Sequence, residues 1–122
     1  MNEKDYSHLR HMLEAAQTAV YIAEQESLES VDENITIKLA IAKAAEIIGN
    51  SAGKVSDETM QAYPGIDWDT IIALGPDPAT QTGMRYKTSD LWHTATVTLP
   101  PLVKELTLII DDVRDNFPPD DD

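Results

Sequence analysis

The chain has 122 residues, 42% of them hydrophobic and 25% charged, which is enough for one compact core and too short for two ordinary domains. Nine Lys and Arg stand against 22 Asp and Glu, and the net charge of −13 sets the surface against free DNA or RNA. The absence of cysteine excludes disulfides, zinc–thiolate sites, iron–sulfur clusters and cysteine nucleophiles.

No apolar run approaches the roughly 18 residues of a membrane span. The acidic, polar start Met1-Asn2-Glu3-Lys4-Asp5 is unlike a signal peptide, so a cytoplasmic protein is expected. Leu9, Met12, Leu13, Ala16 and Val20 recur at steps of three and four and predict a first long helix. Glu26 to Glu33 is acidic and serine-bearing and reads as a connection, with room for a helical turn. A second long helix is expected to start near Asp32 to Asn34, capped by one of those residues. Its stripe is Ile35, Leu39, Ala42, Ala45, Ile48 and Ala52, widened by Ile37, Ile41 and Ile47, and Gly53 marks its end.

Ser56-Asp57-Glu58 opens a short helix that Pro64-Gly65 closes, and Asp67 caps another from Trp68 to Leu74. Gly75-Pro76-Asp77-Pro78 breaks that helix, and a polar stretch follows. Ser89 or Asp90 opens the last helical region, where Pro100 and Pro101 predict a kink or a fresh start. Leu102, Leu106, Ile109, Ile110 and Val113 form its stripe. Thr94 to Thr98 is the one stretch that tempts a strand reading, and five residues make no sheet alone. The expected fold is all-α, an up-and-down antiparallel helical bundle. A single helical domain covers 1–117, and 118–122 is an acidic tail.

Asp5, His8, His11 and Glu14 are spaced by three, as metal ligands on a helix sometimes are. Each step of three drifts by about 60°, so the set does not share one face, and no metal is expected. The acidic run from Asp111 to Asp122 reads as a solubilising end, with a basic partner as its functional alternative. Arg85 and His93 are the pair with catalytic potential, since guanidinium holds phosphate and imidazole moves protons near neutral pH. On a continuous helix their eight-residue offset sets them about 12 Å apart along the axis and about 80° apart around it. Tyr86, between Arg85 and Lys87, is a candidate for covalent modification.

Five blocks in order carry a resemblance: His8-Leu9-Arg10-His11-Met12-Leu13-Glu14-Ala15-Ala16, Ala44-Ala45-Glu46-Ile47-Ile48-Gly49, Tyr63-Pro64-Gly65-Ile66-Asp67-Trp68, Leu91-Trp92, and Thr98-Leu99-Pro100-Pro101-Leu102. From about residue 5 to 113 the chain resembles the HepT-like HEPN family. The resemblance implies a homodimeric all-α bundle without cofactors. It also implies a toxin paired with a minimal nucleotidyltransferase (MNT) antitoxin, and metal-independent endoribonuclease activity. In some members the antitoxin transfers AMP to a tyrosine just beyond the catalytic His. That activity rests on an Arg followed after about four to six residues by His. Here Gly75 falls where the Arg is expected, Thr80 where the His is, and Thr82 where the Tyr is. Neither glycine nor threonine supplies a cation for phosphate or an imidazole for proton transfer. The expectation is a scaffold with lost or much reduced RNase activity. The alternatives are an active endoribonuclease using a displaced Arg85 and His93 and, more remotely, a metal-binding bundle.

Overall fold

The computed structural model describes residues 1–75 and 87–118. Its elements in chain order are α1 (Glu3–Gln25), α2 (Leu28–Glu33), α3 (Ile35–Gly53), α4 (Asp57–Ala62), α5 (Trp68–Ile72), α6 (Thr88–His93), a π-helical segment (Thr94–Thr98) and α7 (Leu99–Val113). A single 3₁₀ turn (Arg114–Asn116) ends the described chain. No strand occurs among the described residues, and the all-α bundle is the observed architecture. Among the same residues, no helix is long and apolar enough to cross a membrane.

Helix α1 starts where the Asn2 side chain accepts the Asp5 N–H at 2.7 Å, satisfying one of the donors that a helix start leaves orphaned. Its stripe reaches the core as the periodicity requires, with Leu9, Met12, Ala16 and Ala19 fully enclosed. The 26–33 connection contains a true helix, α2. Ser27 Oγ accepts the Ser30 N–H at 3.1 Å and Ser30 Oγ accepts the Ser27 N–H at 2.8 Å. This is a reciprocal capping box with serine where Glu or Gln is usual. Asn34 then ends α2 and caps α3, its Oδ1 accepting from the Thr36 and Ile37 N–H groups at 3.0 and 3.3 Å.

The α3 stripe is narrower at its start than its sequence suggested. Ile35, expected inside, is 60% exposed, because at 100° per residue it lies about 120° around the helix from Ile41. Ile41, Ala45, Ile48 and Ala52 define the buried side. Two apolar clusters result. The larger joins α1, α3, α5 and α7 through Leu9, Met12, Ile48, Trp68, Leu102 and Leu106, among others. The smaller gathers Ala23, Val31, Ile41, Ala42, Leu91 and Ala95 where α2 and α6 meet α3.

The interruption expected at Pro100-Pro101 is displaced toward the N-terminus. Thr94–Thr98 is neither strand nor α-helix but a π segment, and the Leu99 N–H bonds the Thr94 carbonyl five residues back. Proline has no N–H and its ring crowds the carbonyl four residues earlier, so the helix widens ahead of the pair. Both prolines then sit in the first turn of α7, where a missing donor costs least. The φ and ψ of His93, Thr94, Thr98 and Leu99 all stay helical, so the segment joins α6 to α7 without a break. Phe117, just past α7, stacks on Tyr6 near the start of α1 with ring centroids 4.5 Å apart, which sets these helices antiparallel.

Candidate functional site

The corner where α5 ends against α3 governs the position of Gly75. Asp67 caps α5, its carboxylate accepting the Thr70 N–H at 3.3 Å and the Thr70 hydroxyl at 2.7 Å. The Trp68 indole N–H reaches back to the Met60 and Tyr63 carbonyls at 3.2 and 3.0 Å, fastening α5 to the end of α4. After Ile72 the chain tightens, with the Leu74 and Gly75 N–H groups bonding the Ile71 and Ile72 carbonyls three residues back. Gly75 then lies against α3. A Cβ on Gly49 would stand 1.9 Å from the Gly75 nitrogen and 2.4 Å from its Cα. A Cβ on Gly75 would meet the Gly49 carbonyl carbon at 3.2 Å and the Asn50 nitrogen at 3.3 Å. Two backbones touch here: the approach requires a glycine at 49, and a Cβ at 75 is accommodated only if its neighbours give by a few tenths of an ångström. The position at which the resemblance sets an arginine is therefore a crowded one.

His93 is exposed at the end of α6. Two contacts orient that helix. The Thr88 hydroxyl donates to Asp32 Oδ1 at 2.6 Å, tying α6 to α2, and Leu91 and Ala95 are buried in the smaller cluster with Trp92 packed beside them. These residues turn inward and His93 faces solvent. Helix α6 begins at Thr88, one residue before the expected start. Arg85, Tyr86, Thr80 and Thr82 lie outside the described residues. Of the terminal acidic run, Asp111 pairs with Arg114 at 2.6 Å, and Asp120 to Asp122 fall outside the described residues.

The three-spaced set on α1 separates as its geometry requires. Asp5 is buried, His8 is half-buried, and His11 and Glu14 are exposed. Glu14 lies 3.7 Å from Arg10. Asp5 faces α4: its Oδ1 accepts the Ser56 N–H at 3.0 Å, and its Oδ2 accepts the Ser56 hydroxyl at 2.5 Å and the Thr59 hydroxyl at 2.6 Å. Burial pushes its carboxyl upward, but the hydroxyls of Ser56 and Thr59, the Ser56 N–H and the nearby His8 outweigh it. The net position is below the usual aspartate value. Among the described residues no group of three or more His, Cys, Asp or Glu is placed to hold a metal ion. Sequence reasoning missed the Asp5 bridge, since Ser56-Asp57-Glu58 marks a helix start without naming a partner 51 residues away.

No family model matches the chain, and no solved structure does. A curated protein of Methanocaldococcus jannaschii, named "Putative RNase MJ1216", is 26% identical over 107 residues, covering 87% of this chain and 87% of that protein. The likeness thus extends over nearly the whole of both chains and is not confined to one motif.

Proposed function

We propose that this chain is a HepT-like member of the HEPN family. It has kept the helical scaffold, has lost most or all RNase activity, and serves as the toxin-type component bound by a nucleotidyltransferase antitoxin. The observation that carries this reading is the near full-length likeness to the M. jannaschii protein, combined with a crowded glycine where the family's arginine would stand. The five resembling blocks fall at structurally demanding places. The first lies in the buried stripe of α1, the second ends on Gly49, and the third is the turn fastened by Trp68. The fourth seats α6, and the fifth spans the π-to-α junction. A net charge of −13 supports protein binding over RNA binding, since phosphate must approach without electrostatic help. Leu28 and Ile35, 43% and 60% exposed, offer apolar surface to a second copy.

The experiment is a search of the neighbouring reading frames for a minimal nucleotidyltransferase and co-expression with it, followed by gel filtration with light scattering. The expected result is a homodimer of the 13.5 kDa chain alone and a stable complex with the nucleotidyltransferase. A 13.5 kDa monomer that never co-elutes with the enzyme would overturn the reading. The second reading, an active metal-independent endoribonuclease using Arg85 and His93, is favoured by one observation: the His93 imidazole is exposed.

A further inference from the structure

A cleft of about 200 Å³ opens between the α4–α5 turn and the start of α7. Its apolar part comes from Ile66, Ile71, Leu102 and Pro101. The first three of these are buried, so that wall is preformed. Its polar part comes from the carboxylates of Asp67 and Glu105 and the hydroxyls of Thr70 and Thr98. Among the described residues, no lysine, arginine or histidine lines it. The three ion pairs among the described residues are Arg10–Glu14, Lys43–Glu46 and Arg114–Asp111, so Glu105 is unpaired there. Asp67 uses two acceptor positions on Thr70, and a carboxylate has about four.

The cleft therefore presents an apolar wall beside carboxylate acceptors. Such a surface is complementary to one kind of side chain, an aliphatic stem ending in many donors. Arginine fits best: its stem packs on apolar surface while its five-donor guanidinium bonds carboxylate oxygens. The larger groove beside Tyr6 and Phe117 lacks this selectivity, since Arg10 and His11 line it together with Glu3 and Glu14.

We propose that this cleft is a docking pocket for an arginine side chain of a protein partner. The net charge of −13 favours the encounter with a basic segment. The pocket goes beyond the reading above and stands whether or not the chain cuts RNA.

The test is an NMR titration of the ¹⁵N-labelled full chain with acetyl-Leu-Arg-Leu-amide, and in parallel with acetyl-Leu-norleucine-Leu-amide. Saturable shifts are expected at Ile66, Thr70 and Leu102, with affinity for the arginine peptide about tenfold above that for the norleucine peptide. Glu105→Gln, on an exposed side chain, should remove that preference and leave the circular dichroism spectrum unchanged. Equal binding of both peptides would overturn the proposal, as would shifts centred on Tyr6 and Phe117 or an arginine preference that survives in E105Q. Absence of any shift with the arginine peptide at millimolar concentration would also overturn it.

Discussion

Gly49→Ala is expected to destabilise the fold by about 3 kcal/mol, although alanine is the better helix former by about 1 kcal/mol at an interior helical position. The added methyl carbon would stand 1.9 Å from the Gly75 nitrogen, 2.4 Å from its Cα and 2.7 Å from the Leu74 carbonyl carbon. These are backbone atoms, so no rotamer change relieves the collision. Either α3 or the end of α5 must move, and the latter is held by Asp67 and by the indole of Trp68. Thermal melting reads the outcome as a fall of about 10 °C for a chain of this size. Gly53→Ala is the control. It ends the same helix, has nothing within 4 Å of the added carbon, and has no positive φ. It should be neutral or stabilising by up to about 1 kcal/mol. A G49A protein as stable as wild type would mean that the two backbones do not touch.

Asp5→Ala is expected to cost about 2–3 kcal/mol at pH 7, because it removes the acceptor of three hydrogen bonds and strands the buried Thr59 hydroxyl. Its pH dependence distinguishes a charged bridge from mere packing. The folded-state value of Asp5 is lowered, so its contribution is fully present above the unfolded value of about 3.9. It is lost as pH falls from there through the still lower folded value. The stability gap between wild type and D5A, measured by urea unfolding, should be constant between pH 5 and pH 7 and shrink below about pH 4. A gap that is independent of pH down to acid unfolding would show that the carboxylate's charge adds nothing.

Long amphipathic helices were the most legible part of this chain. Leu9 through Val20 and Leu102 through Val113 repeat at 3.6-residue spacing for several turns, and burial follows that repeat. Short elements were less legible because local chemistry decides them. A serine-for-serine capping box builds α2, and its N3 serine lacks the usual Glu or Gln signal. The π segment arises from two prolines acting on residues before them, which a periodicity count does not register. Ile35 fits the apolar pattern of α3 yet faces solvent, since a pattern counts side-chain chemistry and not where the neighbouring helices lie.

At the corner where the resemblance sets an arginine, the sequence shows Gly75 but not what surrounds it. Only the close approach of Gly49 shows why a small residue belongs at that corner. The use of Asp5 on α1 is invisible in the sequence, since its partners are 51 and 54 residues away. The cleft beside Glu105 likewise joins two segments distant in sequence.

The proposed loss of catalysis is tested most directly by single-turnover cleavage of a 5′-labelled RNA. Wild type, Arg85→Ala and His93→Ala are each used in large excess over RNA, with EDTA present. Arg and His chemistry of this kind typically supplies 10²–10⁴-fold in rate, so its presence or absence is easily resolved. RNA left intact by all three proteins, at the rate of the protein-free control, is the expected result. Cleavage by the wild type that disappears in both variants would contradict it and establish a working Arg85–His93 pair.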